Sequence, residues 1–230
     1  TYALAPMLAT KGNKLVGTGV LSYSIHPYQA SFETIEVSLG GKRYIESRIS
    51  GQEIVYNRLN PSVTFYLKPR HYDGLIDQNF RIGSLINYRQ QPTKRAPGVW
   101  SQNLIREVIN RVDYRFNYGH PIFKTRMLAR LEQSNQFVRT FFEMRETLAL
   151  SKKLKLDLRY FAGAFLANNT TKAAYNWRMD GQSTTTDYAY DGEYFDRSGT
   201  DEFLSRQFSE NHGGFKVPTA IGQSSRGLTA

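Results

Sequence analysis

The chain has 230 residues, enough for one large β domain with a sizeable core, and no run of about eighteen apolar residues, which excludes a transmembrane helix. With no cysteine, disulfides, thiol catalysis and the usual structural zinc sites are removed. The net charge of +10 fits either an anionic partner or Arg and Lys at alternate strand positions, and with no block of five like charges and no recognisable nucleic-acid module, nucleic acid is not an expected partner.

Leu15–Ile25 opens the strand-like pattern and stops at His26-Pro27. Phe32–Leu39 alternates, with Glu33, Ile35, Val37 and Leu39 against Thr34, Glu36 and Ser38. Gly40-Gly41 is a tight hairpin signal, so the chain is expected to turn there and return through Arg43–Ser50. Gly51 and Asn60-Pro61 punctuate the next stretch, and Val63–Lys68 alternates again before Pro69. Phe80–Tyr88 reads as a strand followed by a basic, Pro-containing loop, Arg89–Gly98. Leu104–Ile109 fits a helical face as well as a strand. Over residues 106–118 a single strand places Val108, Asn110, Val112, Tyr114, Phe116 and Tyr118 on one face.

The clearest strands follow: residues 106–118, 123–133, 137–150 and 153–167, joined by turns at Gly119-His120-Pro121, Ser134-Asn135-Gln136 and Leu150-Ser151-Lys152. Their two faces differ sharply. Val138, Phe142, Met144, Leu148, Leu154, Leu156 and Leu158 form an apolar face, expected to meet lipid. Arg139, Glu143, Arg145, Lys155, Asp157 and Arg159 form a charged face, expected to line a lumen, with Lys124, Arg126, Arg130 and Glu132 beside them. About thirteen residues at roughly 3.3 Å each reach about 43 Å, and a tilt of about 40° leaves a rise of about 33 Å, more than the apolar band of roughly 25 Å in an outer-membrane barrel. After Ala167 the periodicity collapses, and residues 168–214 read as one long extracellular loop.

The fold class expected is therefore all-β, an antiparallel transmembrane β-barrel. A mean hydropathy of −0.51 is compatible with it, because only every second strand residue faces lipid. A soluble β-sandwich or ligand-binding β-barrel has the same alternation with the apolar face turned inward. Strand length and abundant Tyr and Phe favour the membrane reading. On it, Leu156→Arg is expected to cost about 2–4 kcal/mol at mid-depth and Arg159→Leu to be tolerated.

No catalytic constellation is legible. His26, His71, His120 and His212 are scattered without metal-ligand spacing, and no nucleophile elbow occurs. The acidic stretch Asp187, Asp191, Glu193, Asp196, Asp201 and Glu202 misses calcium-loop spacing and reads as a solvated loop. No cofactor and no enzymatic role are expected for this chain.

Tyr190-Asp191-Gly192-Glu193-Tyr194-Phe195-Asp196-Arg197-Ser198, then Gly213-Gly214-Phe215-Lys216 and Gly222-Gln223-Ser224, resembles the outer-membrane barrel region attached to large bacterial gluzincin-type metallopeptidases. The hairpins are generically similar to other outer-membrane barrels. The resemblance implies that the zinc-binding HExxH helix belongs to a separate domain without counterpart here, so any peptidase activity would lie elsewhere. Thr1-Tyr2-Ala3 at the start and the unclosed end at Ala230 read as cut, so a partial barrel from a longer chain is expected. The expected function is anchoring or presenting an attached domain at the bacterial outer membrane, with a passive pore as the alternative. The expected partners are outer-membrane lipid, the barrel-assembly machinery and the remainder of the chain.

Overall fold

The computed structural model describes residues 2–9, 14–28, 31–47, 53–68, 75–96, 99–151 and 153–170, together with 172, 175–178, 182–183, 188, 208–209, 223–224 and 227–229. No α-helix occurs among them. Nine strands follow one another: β1 (Tyr2–Ala9), β2 (Lys14–Ile25), β3 (Phe32–Ser47), β4 (Glu53–Leu67), β5 (Ile76–Ala96), β6 (Val99–Gly119), β7 (Phe123–Gln133), β8 (Phe137–Ala149) and β9 (Lys155–Asn168). Five short strands complete the set: β10 (Trp177–Arg178), β11 (Gln182–Ser183), β12 (Phe208–Ser209), β13 (Gln223–Ser224) and β14 (Gly227–Thr229). β1 to β9 pair in sequence order, every pair antiparallel, and β14 adds to β9 to make ten strands. Among the described residues β1 and β14 are open edges. β10 pairs with β13 and β11 with β12, as two small separate ladders.

The turns form where the sequence punctuates them. Ser134 closes the β7–β8 turn: its Oγ accepts the N–H groups of Gln136 and Phe137 at 3.1 and 3.2 Å. Ser151 does the same between β8 and β9, accepting from Lys153 and Leu154 at 3.3 and 3.1 Å. Both are side-chain turns in which a hydroxyl replaces a missing ladder partner. At His120 the ring stacks on Tyr118 and its Nδ1 accepts the Ile122 N–H at 3.3 Å, a turn role.

Three expected boundaries are corrected. Gly40-Gly41 is no hairpin; it lies inside β3, opposite Val20-Gly19 on one side and Asn60-Leu59 on the other. Continuous pairing to both neighbours outweighs the local freedom of two glycines. Asn60-Pro61 lies inside β4, and the basic segment Arg89–Ala96 continues β5. That segment stays extended because the partner strand β6 is equally long, pairing Arg89 with Ile105 and Lys94 with Trp100. The β5–β6 hairpin consequently overhangs β7, whose last partner on β6 is Asn110.

Register assigns the faces. The row Thr64, Arg81, Asp113, Arg130, Phe141 runs across β4 to β8 on one side, with Gly83, Arg111, Glu132 and Arg139 in the next row. The opposite side carries the row Phe65, Phe80, Tyr114, Ala129, Phe142, Ala162. The first of these sides is the covered one, and it buries apolar Leu85, Ile109, Phe137, Phe141 and Phe161 along with polar groups. Glu132, Arg139, Asp113, Asn79, Asn87 and Ser62 on the polar side are buried, while Leu21 (62% exposed), Leu39, Ile82, Leu156 and Leu166 (66%) lie open on the apolar side.

Candidate functional site

The polar side of β6 to β9 concentrates the charge. Period-two alternation lifts Arg111, Asp113 and Arg115 of β6, Arg130 and Glu132 of β7, Arg139, Glu143 and Arg145 of β8, and Arg159 of β9 onto one surface, where antiparallel pairing brings opposite signs together. Glu132 is the hub. It is fully buried and receives Arg111 Nε at 2.7 Å on Oε1 and Arg139 Nε at 2.7 Å on Oε2. The Tyr188 hydroxyl donates to the same carboxylate at 2.8 and 2.9 Å. A carboxylate taken out of water is sustained by this number of charge-assisted bonds. Next to it, Arg130 grips Asp113 through Nε at 2.6 Å and Nη2 at 2.9 Å.

A cover lies over this hub, built from the aperiodic segment that follows β9. Trp177 is fully buried and packs on Phe141, Phe161 and Phe165 with ring centroids 5.6–5.8 Å apart. Tyr175 and Tyr188 pack with Phe137 and with Leu85 and Ile109 of the overhanging hairpin. The Arg139 guanidinium is held between these rings, 4.7 Å from Trp177 and 4.5 Å from Tyr188, and also donates to the Tyr175 carbonyl. A cation removed from water regains part of its hydration from ring faces. Lys172 pairs with Glu107 of β6 and fastens the start of the cover. Within the segment 168–214, Tyr175, Trp177 and Tyr188 turn onto the sheet. Asp187, Asp191, Glu193, Asp196, Asp201 and Glu202, with His71 and His212, lie outside the described residues.

Gly163 of β9 makes room for the cover. A Cβ there would stand 2.9 Å from Trp177 Cε2 and 3.1 Å from the Phe161 ring. Gly163→Ala is expected to destabilise the packed cover by about 1–3 kcal/mol. A red shift of Trp177 emission on this change, absent in a parallel Trp177→Phe background, would verify it.

Burial pushes both tyrosine hydroxyls up from their ordinary value, Glu107 reinforcing this at Tyr175 and Glu132 at Tyr188, with Arg139 opposing. Each therefore stays a neutral donor in the docked cover. A raised pKa means that docking is fully present below about pH 10, the unfolded tyrosine value, and is lost as pH climbs beyond it. Alkaline titration of Trp177 emission should show no release before about pH 10; release near neutrality would contradict the arrangement.

The lumen-facing candidates all fall on the polar side and divide into two groups. Arg139 belongs to the Glu132 hub. Glu143 accepts Arg145 Nε at 2.6 Å and Arg159 Nε at 3.1 Å, so loss of Arg159 leaves it paired with Arg145. Asp157 accepts the Thr147 hydroxyl at 2.6 Å, and Lys155 is exposed at the start of β9. Val138, Phe142, Met144 and Leu148 of β8 and Leu156 and Leu158 of β9 occupy the apolar side, with Leu154 just ahead of β9. Leu156 is the second residue of β9, near the strand end, which removes the mid-depth position expected for it.

Sequence reasoning passed over Tyr175, Trp177 and Tyr188, whose only signal was aromatic residues in an aperiodic segment. It also passed over Arg81, Arg111, Asp113 and Arg115, although alternation through residues 106–118 already set the last three opposite Val112 and Tyr114. Among the described residues no group of three His, Asp or Glu side chains could hold a metal ion, and the buried carboxylates are occupied by arginines. The arrangement can hold fixed charge and bind anions; no nucleophile with an activating base is visible among the described residues. No family model, curated protein or solved structure matches the chain.

Proposed function

We propose that this chain forms the wall of an antiparallel β-barrel in the bacterial outer membrane, anchoring or presenting an attached domain there. The observation that carries the reading is the broad apolar side left open across the sheet. Leu21, Tyr23, Val37, Leu39, Ile82 and Phe142 lie exposed on one side, while Glu132 and Arg139 on the other are buried beneath the protein's own aromatic residues. Hydrocarbon accepts such an apolar surface without cost, and a closed ladder satisfies the backbone groups that lipid cannot. A soluble ligand-binding barrel would bury the apolar face instead.

The short turns after β6 and β8 then face the periplasm, and the β5–β6 overhang with the cover over Glu132 faces outward. Lipid and the barrel-assembly machinery are the partners of the wall, and the metallopeptidase domain implied by the sequence resemblance is the candidate cargo. No catalysis is assigned to the chain itself. A passive pore is the second reading, favoured by the charged inner side; the docked cover over Glu132 favours the anchor. Cell fractionation followed by gel migration with and without boiling tests the barrel. Recovery in the outer membrane with a boiling-dependent mobility shift supports it, and a soluble species without a shift rejects it. Planar-bilayer conductance of the purified protein separates pore from anchor.

A further inference from the structure

We propose that the polar side carries a binding site for a small tetrahedral oxyanion of the phosphate class, at the meeting of β4, β5, β6 and β7. A cavity of about 160 Å³ opens there, lined by Asn60, Arg81, Arg111, Asp113, Arg115 and Arg130 with Gly83 at its floor. Water occupies about 30 Å³ in the liquid, so the space suits an ion of a few heavy atoms. Four guanidiniums face it against one carboxylate.

That carboxylate is already committed. Arg130 holds both oxygens of Asp113, and Arg115 reaches it only at 3.7 Å. Arg111 is directed to Glu132, which also serves Arg139. The connected cluster thus sets five arginines against two carboxylates.

Arg81 is the decisive member. Its hydrogen-bond partners among the described residues are neutral: Ser62 Oγ at 3.0 Å and, with the Asn60 amide oriented so that both of its groups are satisfied, the Asn60 oxygen at 3.0 Å, while Asp113 acts on it only at longer range. The sequence explains why. Pro61 has no N–H, and the β4–β5 pairing lapses between Leu59↔Ile86 and Ser62↔Gly83. In the amide orientation that satisfies both groups, the Asn60 nitrogen donates to the Ser84 carbonyl at 3.2 Å in that gap and its oxygen accepts from Arg81. The guanidinium is therefore positioned by neutral groups and makes no ion pair within hydrogen-bond distance among the described residues.

Gly83 keeps the floor clear. A Cβ there would lie 2.7 Å from Ser62 Cβ and 2.9 Å from the Pro61 carbonyl oxygen. Planar forks converging from several directions match the oxygens of a tetrahedral anion better than a spherical halide. Because the cavity opens on the polar side, free phosphate is one source and a phosphate monoester headgroup the other.

The test is calorimetric titration of the purified full-length protein in neutral detergent with inorganic phosphate, against sodium chloride at equal ionic strength. Saturable binding, weakened at least about tenfold by Arg81→Gln and about fivefold by Arg115→Gln, is the expected result. Arg115 is 41% exposed, so its replacement tests the site even where Arg81→Gln does not fold. Mixed micelles containing phosphatidic acid form the second arm: tight uptake there with weak inorganic phosphate binding assigns the headgroup as source, and the reverse assigns the free ion. No saturable binding in either arm, or binding unchanged in Arg115→Gln, overturns the proposal. The readout is ligand binding and does not depend on membrane insertion.

Discussion

Glu132→Leu is expected to lower stability by about 3–5 kcal/mol, a loss typical of breaking a buried ion pair from one side. The carboxylate is fully buried and receives Arg111, Arg139 and Tyr188 at 2.7–2.9 Å. Removing it leaves two guanidiniums facing each other, and Arg139, 1% exposed and enclosed by aromatic rings, has no route to water. The stranded charge is the larger part of the cost. The double variant Glu132→Leu, Arg139→Leu should therefore recover a substantial share, because it removes a buried charge along with its partner. Arg145→Ala is the control: that side chain is 45% exposed, and its pairing with Glu143 is expected to contribute less than about 1 kcal/mol. Urea unfolding in detergent micelles followed by tryptophan emission measures all three. A loss below about 1 kcal/mol for Glu132→Leu would mean that the hub is solvated and the cover does not exclude water.

Phe142→Arg is the second large effect, expected to cost about 2–4 kcal/mol of folding free energy in a bilayer. Phe142 stands near the middle of β8, and its row across the sheet contains Phe65, Phe80, Tyr114, Ala129 and Ala162. A guanidinium there would sit in hydrocarbon on the proposed reading. Leu156→Arg, one residue inside β9, is expected to cost only about 0–1 kcal/mol, since an arginine near the interface reaches water. The contrast tells a lipid-facing side from a water-facing one. On the surface of a water-soluble sheet both substitutions would fall within about 0.5 kcal/mol of neutral. Folding into liposomes across a urea series supplies the comparison, and equal, small effects at the two sites would remove the lipid-facing assignment.

Phe142, Arg139 and Tyr188 mark how far the sequence reaches. Alternation by itself determined that Val138, Phe142 and Met144 share one side of β8 and Arg139, Glu143 and Arg145 the other, because successive Cβ atoms in a strand point in opposite directions. It also located the turns at Ser134 and Ser151, where hydroxyls substitute for backbone partners. Local signals failed where pairing on both flanks overrode them: Gly40-Gly41 and Asn60-Pro61 read as breaks, yet β3 and β4 run through them. Only the tertiary structure decided which side is covered. Two opposite packings share one period-two pattern, and the choice depends on what lies against each face. Tyr175, Trp177 and Tyr188 make that choice from an aperiodic segment, through contacts such as Tyr188 to Glu132, 56 positions apart in the chain, which no local periodicity encodes.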